Sequence, residues 1–247
     1  MDPAEQFIEE VRQNIQGLQS DKDLQALSRI WIREITRHKY AYNFRWMGRP
    51  IIQFPQDMVA MQELVWDIRP DLIIETGVAH GGSLIYYASL LAMMGQEEAH
   101  VLGIDIDIRP HNRAAIEAHP MASRIRLVEG SSVAPEVLTQ VRDAAKGKSR
   151  ILVVLDSNHT HEHVLAELNA YSPYVTVGSY LVVYDTVIED MPDDLGHTQN
   201  RPWKQGDNPK TAVREFLSRT NRFEVDEALE AKLLITVAPG GYLKCVR

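Results

Sequence analysis

Cysteine is nearly absent: Cys245 is the only one in 247 residues. That excludes an intrachain disulfide and a cysteine-ligated metal cluster. An excess of positive charge is also missing. The 26 Lys and Arg are outnumbered by 34 Asp and Glu, a formal charge of −8, whereas nucleic-acid binders present a basic face or stripe. No nucleic-acid partner is expected. No apolar run approaches the roughly 20 residues that cross a bilayer, and MDPAEQFIEEVRQ has neither the basic stretch nor the apolar core of a signal peptide. The expectation is a cytoplasmic protein with no membrane partner.

Apolar residues make up 45% of the chain and charged residues 24%, an ordinary composition for a globular protein of one sizeable domain with an extension. Residues 4–38 carry apolar positions at helical spacing, among them Phe7, Ile8, Val11, Ile15 and Leu18, then Leu24, Leu27, Ile30 and Trp31. YAYNFRWMGRPIIQFPQDM (40–58) is aromatic and aperiodic and reads as an irregular arm. A helix is predicted over 57–68. Beyond it, short apolar runs alternate with helical stretches: strands at 71–77, 100–107, 124–130, 150–156 and 179–185, with helices at 81–95, 111–119, 136–145 and 163–171 between them. This order with nearly continuous apolar strands predicts an α/β fold, a Rossmann-like parallel sheet with helices on both faces. A further helix at 208–220 precedes FEVDE, KLLITVAP and YLKCVR, which read as closing antiparallel strands. The expected division is 1–56, a helical extension and aromatic arm, and 57–247, one catalytic unit.

Ligands of such sheets sit beyond the carboxyl ends of the strands. The first predicted strand ends in IIETGVAHGGSL. Glycines there let the backbone turn sharply and approach a ligand, and the following helix offers free N–H groups. Gly77, Ala79 and Gly82 form a degenerate dinucleotide fingerprint. Glu75, Gly77, Ala79 and Gly81, with Ser83 beyond, instead read as a methyltransferase turn. A carboxylate at Glu75 favours the second, because it would hold an amino-acid ammonium and repel a pyrophosphate. The second strand ends in GIDIDIR, where Asp105 occupies the place of a ribose-binding acid. The third ends in EGSS, with Gly130, Ser131 and Ser132 at an adenine edge or at a helix cap.

The fourth strand runs into LDSNHTHEHVLAEL (155–168), which holds a third of the nine histidines. A zinc hydrolase of the His-x-His-x-Asp-His type fails here, because the third and fourth positions of that pattern fall on His163 and Val164 and no other ligands complete the site. No iron facial triad is present either. Asp156 is a hard oxygen donor suited to magnesium or a similar divalent cation, and Asp185 ends the adjacent fifth strand. Held together, they would place a cation where it lowers the pKa of a bound hydroxyl, with His159 as the proton acceptor. His161 and His163 read as loop or helix-start residues, His161 with an acceptor-facing role. Tyr40, Tyr42 and Trp46 of the arm, Tyr184, and Trp203 on the 197–209 loop are the other candidates to face an acceptor.

ETGVAHGGS, GIDIDIRPHNR, EGSS, LDSNHTHEHVLAEL and GSYLVVYDT, in this order, resemble the cephalosporin hydroxylase/rhamnosyl O-methyltransferase family, over about residues 40–247. The resemblance implies a class I methyltransferase that carries a methyl group from S-adenosylmethionine to a hydroxyl of a sugar, glycoside or other secondary metabolite. It implies donor contacts at Glu75, Gly77, Gly81 and Asp105, cation ligands at Asp156 and Asp185, and a base at His159. Several relatives carry two consecutive acids at the fifth strand end; here the first of the pair is Tyr184, and Glu189 or Asp190 is near enough in sequence to compensate. A small-molecule acceptor and a homo-oligomer are expected. Two rival readings remain at this stage, an NAD-type oxidoreductase and a non-catalytic binder of an adenosine ligand.

Overall fold

A computed structural model describes residues 2–192 and 201–247. Two amphipathic helices come first, α1 (Pro3–Ser20) and α2 (Lys22–Thr36). Asp21 separates them and caps the second by accepting from the Leu24 N–H at 2.9 Å. α1 buries no residue, whereas α2 contributes Ile32 to the main core.

The stretch predicted to be an irregular arm is ordered. Tyr40–Asn43 forms a 3-10 turn, and β1 (Phe44–Trp46) pairs antiparallel with β2 (Arg49–Ile51). Met47 and Gly48 both take positive φ, 44° and 85°, which suits a tight two-residue hairpin turn. The hairpin was hidden because its strands are three residues long and carry Pro50. α3 (Pro55–Ile68) begins two residues before its expected start, with Pro55 in the first turn where its missing N–H costs nothing.

The alternation downstream folds as predicted: β3 (Leu72–Thr76), α4 (Gly82–Met93), β4 (His100–Asp105), α5 (Pro110–Glu117), β5 (Ile125–Glu129), α6 (Pro135–Ala145), β6 (Ile151–Leu155), α7 (His161–Tyr171), β7 (Tyr180–Val183). α8 (Pro209–Arg219), β8 (Phe223–Val225), α9 (Glu227–Leu233) and β9 (Tyr242–Cys245) complete the chain. The seven-stranded sheet has the order β5-β4-β3-β6-β7-β9-β8, with β9 antiparallel to both neighbours. KLLITVAP is not a closing strand. Asp226 accepts from the Leu229 N–H at 3.0 Å and starts α9, so the run is consumed by a helix end and a loop.

Alternation along each strand feeds two cores. Ile73, Leu152 and Val154 face α3, α4 and the hairpin, while Leu72, Ile74, Ile151, Val153 and Leu155 face α6, α7 and α8. Every residue of β3, β6 and β7 is buried, as expected of a sheet covered on both sides. The chain leaves β3 toward β4 on one side, and β6 lies on the other. The crevice for a ligand therefore opens beyond the carboxyl ends of β3 and β6.

Candidate active site

A cavity of about 840 Å³ occupies that crevice. One part is walled by the turn after β3 and by the ends of β4 and β5; Gly77, Ala79, Ser83, Asp105, Ser131 and Ser132 all line it. The other part is walled by Tyr40, Tyr42, Gln53 and Phe54 of the arm, by Val187, Ile188 and Met191, and by Trp203. Asp156, His159 and Asp185 line the same cavity.

The turn is built for close approach. Gly77 has φ 93°, and a Cβ there would sit 1.9 Å from the Asp156 carbonyl oxygen. At Gly82 a Cβ would meet the Pro50 carbonyl oxygen at 2.1 Å, so the hairpin rests directly on the start of α4. Arg49 donates twice to the His80 carbonyl, at 2.6 and 3.0 Å, and to Asn112 Oδ1, and Asn112 donates to the Ala79 carbonyl at 2.9 Å. Asp105 is tied into the turn as well: Oδ2 accepts from the Val78 and Ala79 N–H groups and Oδ1 from that of Asp107.

Glu75 lies behind the turn, wholly buried, and is not among the lining residues. Ser83 Oγ donates to its Oε2 at 2.6 Å, and its Oε1 has no partner. Burial pushes the carboxyl up to about 8, with the Ser83 and Tyr87 hydroxyls pulling it down. Gly81 and Gly130 shape the backbone without lining the cavity.

At the ends of β6 and β7, ligand atoms of Asp156, His159 and Asp185 all fall within 4.8 Å of one another. His159 Nε2 is 3.3 Å from Asp185 Oδ2. Asp185 holds φ 56°, a left-handed conformation that a non-glycine residue adopts at a cost and that recurs at functional sites. Burial and then the charges of Asp185 and Glu75 drive the Asp156 carboxyl well above the ordinary range. Burial pushes the His159 imidazole down, against the pull of Asp185. The Trp203 indole packs edge-on against the His159 ring with centroids 4.8 Å apart.

Three residues grouped with the acceptor-facing set lie elsewhere. Trp46 donates to Ser89 Oγ at 2.9 Å and packs on Tyr86. Tyr184 is 2% exposed, inside the core. His161 docks α7 onto α8, contacting Thr211 Oγ1 at 2.8 Å and Glu215 Oε2 at 3.0 Å. None of the three lines the cavity. His163 does; it sits against Ser132 and Ser157 and beside the buried Glu167, which raises its pKa. Glu189 and Asp190 do not replace the acid missing at Tyr184: Glu189 holds Gly206, Asn208 and Arg214, and Asp190 pairs with Lys210. Of the 197–209 loop, residues 197–200 lie outside the described residues.

Sequence reasoning missed Gln53, Arg49 and Asn112. Gln53 is 4% exposed; its Nε2 donates to Asp156 Oδ2 at 3.4 Å and its Oε1 has no partner. No local pattern marks it, because only the hairpin brings residue 53 to the end of β6.

A seven-stranded sheet with one reversed strand, a glycine turn at the switch point and acids at successive strand ends define a class I methyltransferase-type fold. The model of the rhamnosyl O-methyltransferase/CmcI family matches residues 38–246. A rhamnosyl O-methyltransferase of Mycobacterium leprae (strain TN) is 32% identical over 217 residues, covering 83% of this chain and 87% of the relative. Among solved structures, CmcI in its Mg-SAM form superposes with a TM-score of 0.58 at 19% identity, covering 83% of this chain and 78% of that one. An O-methyltransferase from Bacillus cereus in complex with SAH gives 0.54 at 16% identity, covering 96% and 97%. The chain belongs to the rhamnosyl O-methyltransferase/CmcI family and is an S-adenosylmethionine-dependent O-methyltransferase.

Proposed function

We propose that this enzyme methylates a hydroxyl of a sugar of the rhamnose type, with a divalent cation held by Asp156 and Asp185 and with His159 as the base. The observation that carries the reading is the convergence of Asp156, His159 and Asp185 within 4.8 Å on the wall of a cavity whose other end is the glycine turn. The name of the relatives supports a rhamnose acceptor.

The donor set fits a hard cation. Two carboxylates stand close together, and burial with the neighbouring charge of Asp185 opposes ionisation of Asp156; a bound cation offsets that. Oxygen ligands suit magnesium better than zinc. When bound, the cation supplies positive charge that favours ionisation of a neighbouring hydroxyl. The donor part of the cavity fits S-adenosylmethionine, which supplies a methyl carbon activated by its sulfonium. Gly77 admits close approach, Asp105 stands at the place of a ribose contact, and Ser131 and Ser132 stand at an adenine edge; Glu75, buried behind the turn, supports the turn through Ser83 and does not face the cavity.

With Nε2 facing Asp185 Oδ2, the neutral His159 ring carries its proton there and leaves Nδ1 to take another. Burial keeps the ring neutral near pH 7 and thus ready to accept a proton, and Asp185 stabilises the imidazolium once formed. Trp203, Tyr40, Tyr42 and Phe54 exclude water and orient the acceptor for in-line attack. Residues 22–56 belong to this catalytic unit: Tyr40, Gln53 and Phe54 wall the cavity while Ile32 and Ile51 enter the core. Exposed Phe7, Ile8 and Leu27 are consistent with the expected homo-oligomer, which sedimentation velocity decides.

Methyl transfer from labelled S-adenosylmethionine to rhamnosides and other glycosides, with magnesium or chelator, tests the reading. Asp156→Asn is expected to lower kcat/KM at least about a hundredfold and to abolish the response to magnesium. His159→Ala is expected to cost about a hundredfold or more in kcat while calorimetric metal affinity is retained. A second reading, His159 as third ligand, is favoured by its place in the cluster; loss of metal affinity in His159→Ala would establish it. Full turnover under chelation and in Asp156→Asn would remove the cation altogether.

A further inference from the structure

We propose that the acceptor carries a phosphate ester, bound by Arg201 and Lys204 on the rim of the cavity. This rests on the reading of the His159 cluster as the methyl-transfer centre. Trp203 supplies the geometry. Its indole lies against the His159 ring, and the Arg201 guanidinium carbon is 5.0 Å from the centroid of that indole. One indole thus meets both a cation and the base. Because Arg201 and His159 line one cavity, a sugar with one hydroxyl at His159 can direct another substituent toward Arg201. Lys204 lines the same cavity from the same segment, and Lys39 lines it from the arm.

The three cations are exposed, and none forms an ion pair among the described residues. Three acids of the flanking segments are already engaged: Glu189 by Gly206, Asn208 and Arg214, Asp190 by Lys210, and Asp207 by the His161 N–H at 2.8 Å. In a chain of net charge −8, the cavity therefore has a positive rim above a floor of the Asp156 and Asp185 carboxyls. The floor suits a cation, and the rim attracts an anion. A neutral glycoside leaves the rim unused. A phosphate or diphosphate accepts several charge-assisted hydrogen bonds at once, and a guanidinium fork matches its geometry. Sugar 1-phosphates, nucleoside diphosphate sugars and lipid diphosphate sugars share this chemistry.

Calorimetric titration of the full chain loaded with S-adenosylhomocysteine tests the proposal, with rhamnose 1-phosphate, a nucleoside diphosphate rhamnose and methyl rhamnoside as probes. At least one phosphorylated sugar is expected to bind about tenfold or more tighter than methyl rhamnoside, with an advantage that shrinks as salt rises. The double variant Arg201→Gln/Lys204→Gln is expected to erase that advantage and to leave S-adenosylhomocysteine affinity unchanged. Equal binding of methyl rhamnoside and both phosphorylated sugars overturns the proposal. So does a loss of S-adenosylhomocysteine affinity in the double variant, which would assign the cations to the donor carboxylate. Labelled-methyl incorporation is measured separately: intact discrimination without transfer would count against the methyl-transfer reading and not against the phosphate site.

Discussion

Glu75 shows what a single buried carboxyl does to this protein. Its folded pKa of about 8 lies far above the ordinary 4.5, because burial penalises the charged form. Between those values the folded state keeps a proton that the unfolded state has released. Stability is therefore highest below the unfolded pKa and falls as pH rises through the folded one, by up to about 5 kcal/mol. Asp57 shifts in the same direction, to about 6, for the same reason. Glu75→Gln removes one of these titrations and can still accept from Ser83. Its ligand-free melting temperature is expected to decline less than that of the wild type between about pH 5 and pH 8. Parallel declines in the two proteins would show that Glu75 is not held protonated. From sequence Glu75 was legible as a special acid at a strand end. Its seclusion behind the turn was not, because that depends on α4 covering it with Ser83 and Tyr87.

At the scale of elements, the β3–α4 turn and the β1–β2 hairpin form one device. The turn can pass over Asp156 only because Gly77 has no side chain, and α4 can start under the hairpin only because Gly82 has none. Gly77→Ala places a methyl inside van der Waals contact of backbone at a positive φ, so about 2 kcal/mol or more of stability is expected to be lost. S-adenosylhomocysteine affinity should fall at least about tenfold, read by calorimetry below the melting range. Unchanged affinity in a folded variant would show that the donor does not lie against this turn. The glycines of the turn were plain in the sequence, since few residues tolerate such backbone. The hairpin was not: two strands of three residues have too short a period to register, and its turn is marked only by Met47-Gly48. The same shortage of signal led KLLITVAP to be taken for a strand, although Asp226 at the N-cap and the preceding EALEA favour a helix.

At the scale of the whole molecule, the N-terminal 56 residues are of two kinds. α1 packs on α9 but has no buried residue, whereas α2 and the segment from the hairpin to α3 send Ile32, Ile51 and Phe54 into the main core. Deletion of residues 2–20 is expected to move the melting temperature by no more than about 3 °C and to leave S-adenosylhomocysteine affinity intact. Deletion of residues 2–56 is expected to abolish cooperative melting, because it removes one wall of the core and of the cavity. A stable, donor-binding fragment 57–247 would instead support the expected division at residue 56. No helix among the described residues is long and apolar enough to cross a membrane.

The sequence by itself determined the parallel sheet, the crevice at its switch point and the residues at each strand end. Continuous apolar strands, glycine turns and polar strand ends are local patterns with local causes. The sequence already singled out His159 among the three alternating histidines; only the tertiary structure decided what each of them touches. His159 meets Asp185 and Trp203, His161 turns to α8, and His163 turns to Glu167, because a helix begins at His161 and sends successive side chains to different faces. It also decided that Gln53 stands beside Asp156, and that Arg201 and Lys204 share a cavity with Lys39. These last two groupings join residues more than a hundred positions apart, and no pattern within any one segment encodes them.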